Sequence, residues 1–183
     1  EGFCFGIDSV LIADFAKEIR NGSKGVDLGT GTGIISILLT AKTNLSQIIG
    51  VEIQEKVADM AKRSIELNNM QDRIKIVNCN IKGIFLSKNE KEQTETLEDY
   101  MLKKRKLIHQ TLPNEDFDFI VTNPPYKKLK TGKVNENQMQ YISRHEATAN
   151  LEDFIKASKY LLKDKGTLYM VHRPERLVDI IEL

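Results

Sequence analysis

Short apolar runs alternate with amphipathic stretches along most of this chain, and the alternation predicts a strand–helix repeat. The first helix follows Asp8, a residue type suited to an N-cap, and carries Leu11, Phe15 and Ile19 along one face. Asn21-Gly22-Ser23 ends it. Strands are predicted over Gly25 to Leu28, Ile48 to Ile53, Ile74 to Val77, Phe117 to Val121 and Thr167 to Val171. A buried helix falls over Ile34 to Ala41. A longer one runs from about Lys56 to Asn68, with Val57, Ala61 and Ile65 at four-residue spacing. The last helix places Leu151, Phe154, Ile155, Ser158, Leu161 and Leu162 on one face, with Asn150 as its cap and Lys165-Gly166 as its close. Strands and helices in this order predict an α/β fold: a mostly parallel sheet with helices on both faces.

One segment breaks the rhythm. Residues 86–115 form a charged insertion that includes Glu90-Lys91-Glu92 and Lys103-Lys104-Arg105-Lys106. It reads either as a solvated excursion or as an arm that meets a polyanion or a second subunit. Around it, residues 1–183 are expected to build a single domain, clipped at both ends, since the chain opens on Glu1 and stops at Leu183 inside a helical pattern. Apolar residues at 40% and charged residues at 29% are ordinary for a globular protein. A net charge of +1 and an isoelectric point near 8.0 permit a nucleic-acid partner without demanding one. Two cysteines form no disulfide framework and three scattered histidines no metal motif, so no metal is expected and a reducing cytoplasm is the expected compartment. No apolar run has membrane length.

Candidate chemistry sits at the ends of the predicted strands. After the first, the chain reads Asp27-Leu28-Gly29-Thr30-Gly31-Thr32-Gly33 and enters a helix. Alternate glycines allow a sharp turn and a close-lying ligand, and the helix start offers free amides. The pattern departs from the dinucleotide fingerprint, because the third glycine comes one position early and Ile34 stands where Gly or Ala is wanted. Asp27 suits a ligand carrying a cation or an amine and repels a pyrophosphate. Glu52 closes the second strand, 19 residues after Gly33, where an acidic side chain holds ribose hydroxyls. A ribose and a positive charge without a phosphate fit S-adenosylmethionine.

The fourth strand runs into Asn123-Pro124-Pro125-Tyr126. Asn123 and the Pro124 carbonyl are two acceptors, and Tyr126 is a flat apolar face, a set that grips a planar amino group. The same residues also make a good strand-ending turn. In an open parallel sheet both elements lie at the carboxyl edge, so a strand-order reversal between the first and fourth strands makes them neighbours. Lys127, Lys128, Lys130 and Lys133 follow directly, either as phosphate contacts or as a solvated loop.

These residues resemble the class I S-adenosylmethionine-dependent methyltransferases of the NPPY type, which are Rossmann-like. The likeness is strongest to the bacterial family that methylates N6 of an adenine in valine tRNA. It is carried by Phe5 to Leu11, Asp27 to Ile35, Gly50 to Gln54, NPPY, Arg144-His145-Glu146 and Val171 to Leu177. The resemblance implies Asn123, Pro124 and Tyr126 as catalytic residues. It implies Asp27, Gly29, Thr30, Gly31, Gly33, Glu52, Ile53 and Asn80 as the hold on S-adenosylmethionine. Lys127, Lys128, Arg144, His145 and Arg173 are the candidate contacts to tRNA, the expected partner; Arg144 and His145 read equally as residues that pin the following helix, and Arg173, just past the fifth strand, either faces the site or lies on the surface. Three departures accompany it: Asn78-Cys79-Asn80 where the family has Asp near the cofactor's adenine, the long insertion, and no antiparallel C-terminal hairpin before Leu183. A protein glutamine N5-methyltransferase of the release-factor type, and a non-catalytic relative that binds RNA or cofactor, remain alternatives.

Overall fold

The computed structural model describes residues 6–85, 112–113, 116–125 and 149–183. Helix α1 (Ile7–Phe15) runs into a 3-10 turn (Ala16–Glu18), and strand β1 (Lys24–Leu28) follows. Then come α2 (Ile34–Lys42), β2 (Gln47–Glu52), α3 (Glu55–Leu67), β3 (Ile74–Asn78) and the short α4 (Lys82–Phe85). Strand β4 (Phe117–Thr122), α5 (Leu151–Leu161), β5 (Leu162–Met170), a 3-10 turn (Pro174–Arg176) and α6 (Leu177–Glu182) complete the order.

The five strands form one sheet in the order β3-β2-β1-β4-β5, and every ladder is parallel. A parallel ladder needs a crossover, which the intervening helices supply. Strand order reverses between β1 and β4, so the carboxyl ends of these two strands mark the place where ligands bind in open parallel sheets. Side-chain alternation divides the apolar residues between two cores. Val26, Leu28, Ile49, Val51 and Ile120 meet Phe154, Ala157 and Leu161 of α5 on one face. Ile48, Ile74, Phe119 and Val121 meet Ile12 and Ala13 of α1, Ile35 and Leu39 of α2, and Ile65 of α3 on the other. Phe117 and Phe119 join different cores although they are two residues apart, and the pairing of β4 with β5 shifts register between them. Leu112 is fully buried in the first core, so the end of the 86–115 segment returns to the body of the fold; most of that segment lies outside the described residues.

Three local expectations change. Helix α1 starts at Ile7 with Gly6 as its N-cap, not after Asp8. Its buried side is Ser9, Ile12 and Ala13, continuing to Ala16, whereas Leu11 and Phe15 are exposed at 58% and 77%. Small residues win that face because α1 lies close against α2, and Phe15 instead meets Tyr169 edge-on, ring centroids 6.2 Å apart. Helix α5 ends at Leu161, and Leu162 is already extended (ψ 136°) and pairs with Phe117, with Lys165 taking the left-handed turn (φ 62°) within β5. Among the described residues no helix is long and apolar enough to cross a membrane.

Candidate active site

The Asp27–Gly33 loop is folded by its own polar atoms. The amides of Gly29 and Thr30 both donate to the Val51 carbonyl at 2.9 Å, which ties the loop to the end of β2. The Gly33 amide closes on the Thr30 carbonyl at 3.0 Å, and Gly31 donates to Glu52 Oε2 at 3.1 Å. Gly29, Gly31 and Gly33 all have positive φ (73°, 58° and 85°), a backbone that side-chain-bearing residues rarely adopt. Four of the loop's amides are therefore engaged within the protein. A loop so engaged makes a poor cradle for phosphate.

Asp27 lies fully buried beneath this loop. Its Oδ2 accepts from Thr30 Oγ1 at 2.6 Å and from Ser36 Oγ at 2.9 Å, while Oδ1 has no hydrogen-bond partner among the described residues. Burial pushes its pKa up to about 6; the two hydroxyls oppose that shift, and the nearby Glu52 carboxylate adds to it. Glu52, 6% exposed, accepts from the amides of Gly31 and Gln54 (2.8 Å to the latter), and burial likewise raises its pKa. Each oxygen keeps a further lone pair. Ile53 is half-buried beside it. Asn80 is exposed past the end of β3, its Oδ1 accepting from the Lys82 amide at 3.0 Å.

On the other side of the reversal, β4 delivers Asn123 and Pro124. Leu28 and Thr122 are register partners, so Asn123 and Gly29 are each the next residue past one paired rung. Thr122 Oγ1 donates to the Leu28 carbonyl at 2.8 Å and locks the two strand ends together. Asn123 is partly exposed and Pro124 is buried. His172 and Arg173 follow the end of β5, where the Val171 amide donates to the Thr122 carbonyl at 3.2 Å. Arg173 is exposed and its amide donates to His172 Nδ1 at 2.9 Å. The geometry thus gathers the glycine loop, Glu52, Ile53, Asn123, Pro124 and Arg173 on one sheet edge, with Asn80 at its β3 end. Tyr126, Lys127, Lys128, Arg144 and His145 lie outside the described residues.

Three supporting residues escaped the sequence reading. Asn78 Nδ2 donates to the carbonyls of Glu52 and Ile53 at 2.8 and 3.0 Å, pinning the end of β2. Ser36 and Thr122 act as described above. A buried serine within the apolar run Ile34-Ile35-Ser36-Ile37 was the available signal for one of them. Among the described residues no group of three or more His, Cys, Asp or Glu is arranged to hold a metal ion.

Comparison with known proteins adds three findings. The family described as Eco57I restriction-modification methylase matches residues 46–178. The curated relatives include the tRNA1(Val) (adenine(37)-N6)-methyltransferase of Porphyromonas gingivalis, 29% identical over 96% of this chain and 60% of that protein. The enzyme of the same name in Flavobacterium johnsoniae is 26% identical over 91% of this chain and 59% of its own length, so the chain spans less than two thirds of either relative. Among solved structures, a protein from Agrobacterium tumefaciens described as a predicted O-methyltransferase superposes with a TM-score of 0.63 at 20% identity, covering 96% of this chain and 65% of that one. A methyltransferase from Thiobacillus denitrificans, solved with S-adenosyl-L-homocysteine, gives 0.53 at 14% identity over 91% of this chain and 48% of its own. At these identities the two structures speak to the fold.

Proposed function

The chain belongs to the Eco57I restriction-modification methylase family, and from that premise we propose that it transfers a methyl group from S-adenosylmethionine to the exocyclic N6 amine of adenine in tRNA. One observation carries the reading: the reversal between β1 and β4 sets the glycine loop and Glu52 beside Asn123-Pro124 on a single sheet edge. The tRNA acceptor is supported by the curated relatives' name and by the basic residues after the NPPY element, Lys127 and Lys128.

The residues present fit this cofactor. Asp27 and Glu52 give the loop a negative potential, and the loop's amides are turned inward, so a phosphate-free cation suits it better than a dinucleotide. Bound there, S-adenosylmethionine supplies an electrophilic methyl group on a sulfonium. Glu52 accepts from the ribose hydroxyls while it keeps its grip on Gly31 and Gln54. Ile53 offers an apolar edge to the adenine of the cofactor, and Asn80 an acceptor to its amine. On the acceptor side, the Asn123 side-chain carbonyl and the Pro124 backbone carbonyl receive the two N–H groups of the target amine. That pairing turns the nitrogen lone pair out of ring conjugation and aims it, so no base has to remove a proton first. Tyr126 stacks on the extruded base, and Lys127, Lys128, Arg144, His145 and Arg173 answer the phosphates around it. A cytoplasmic location agrees with such a substrate.

The test is incubation of the protein with labelled S-adenosylmethionine and tRNA from cells lacking the modification, followed by nucleoside mapping. Label recovered as N6-methyladenosine is the expected result. Label in protein glutamine, or in duplex DNA alone, overturns the tRNA reading.

A further inference from the structure

We propose that Ser36 is a positioning residue for the cofactor loop, acting through Asp27 and Thr30 to hold that loop in the conformation that binds. The proposal rests on the reading that this loop takes S-adenosylmethionine. Ser36 is the third residue of α2, wholly buried, inside a helix that is otherwise apolar until Thr40. Its hydroxyl donates to Asp27 Oδ2 at 2.9 Å, and Thr30 Oγ1 donates to the same oxygen at 2.6 Å. The two hydroxyl oxygens are 3.5 Å apart. One carboxylate thus joins the strand before the loop, the loop itself and the helix after it, closing a polar ring around Leu28 to Ile35.

Two further observations mark the ring as built for the loop. Helix α2 has no capping side chain at Gly33, and the Ser36 hydroxyl instead ties its first turn to Asp27 at the end of β1. Thr30 reaches its place because residue 50 on β2 is glycine: a Cβ there would lie 2.9 Å from both Thr30 Oγ1 and Cγ2. With both hydroxyls on Oδ2, the ring also fixes which carboxylate oxygen, Oδ1, is buried without a hydrogen-bond partner among the described residues. Loss of one donor has two consequences. The loop loses a tether, and the charged form of Asp27 loses a stabilising hydrogen bond while the facing Glu52 carboxylate still opposes it.

The experiment measures S-adenosylmethionine affinity by calorimetry from pH 5 to 8, together with Tm and kcat at saturating cofactor, for wild type, Ser36→Ala, Thr30→Val and Thr30→Ser. Removing either hydroxyl is expected to weaken cofactor binding on the order of tenfold and to move the pH midpoint of binding upward. Thr30→Ser, which keeps the hydroxyl, should stay within about threefold of wild-type affinity, and the effect of Ser36→Ala should fall on cofactor affinity and its pH midpoint while its kcat at saturating cofactor changes less than about twofold. If Ser36→Ala does not fold, the isosteric Thr30→Val reads the same ring. A lowered Tm with wild-type affinity and an unchanged pH midpoint in these variants would leave the ring merely structural and overturn the proposal. Wild type that fails to bind S-adenosylmethionine at any pH overturns the function itself, a distinct outcome.

Discussion

Asp27 is held in the folded protein against its own preference for water. Its pKa stands at about 6 in place of 3.8, so the folded chain binds a proton that the unfolded chain releases between those values. A raised folded pKa means its contribution to stability is fully present below about pH 4 and is lost as pH rises through about 6. At about 1.4 kcal/mol per unit, the difference amounts to roughly 3 kcal/mol. Asp27→Asn removes that dependence. Urea unfolding at pH 4 and pH 7 should therefore show wild type losing roughly 2 kcal/mol relative to the variant as pH rises, most of the full difference. Equal differences at the two pH values would contradict the burial of a titrating Asp27. The residues that carry charge at the site were legible in the sequence, because an acid at the end of an apolar run has few structural reasons to be there. Their partners were not. Ser36, Asn78 and Thr122 act across contacts whose existence depends on which strand lies beside which, and local pattern holds no record of that.

Secondary structure follows period and capping with few exceptions, and the exceptions have local causes. Asn150 was read as a cap, and the capping box is there: Asp153 N–H donates to Asn150 Oδ1 at 2.9 Å, and Asn150 N–H to Asp153 Oδ2 at 2.9 Å. Asn150→Ala should cost about 1 kcal/mol of stability and leave cofactor affinity unchanged, by chemical unfolding and calorimetry. The face of α1 was read wrongly because the four-residue spacing of Leu11 and Phe15 outweighed the small residues Ser9, Ala13 and Ala16. Close helix packing favours the small set. In β1, Gly25 supports the Phe119 ring so closely that a Cβ would sit 2.1 Å from it. Gly25→Ala should lower stability by about 2 to 3 kcal/mol, because the ring must leave its place in the core under α1. An unchanged Tm would contradict that packing.

At the scale of the molecule, five parallel strands with one reversal of order bring two separate strand ends side by side on one sheet edge. The sequence named both halves, the glycine loop and the NPPY element, and the α/β alternation named the sheet. What it left open was whether the reversal falls between β1 and β4, since strand order is set by how helices cover the two faces and not by any one segment. The chain spans 60% of the length of the Porphyromonas gingivalis relative. The central claim is that Asn123 serves the acceptor amine while the loop and Glu52 serve the cofactor. Asn123→Ala separates the two in one paired measurement of turnover and cofactor dissociation constant. Turnover should fall by more than about 100-fold, with S-adenosylmethionine affinity within about twofold of wild type. Normal turnover by that variant would contradict the account.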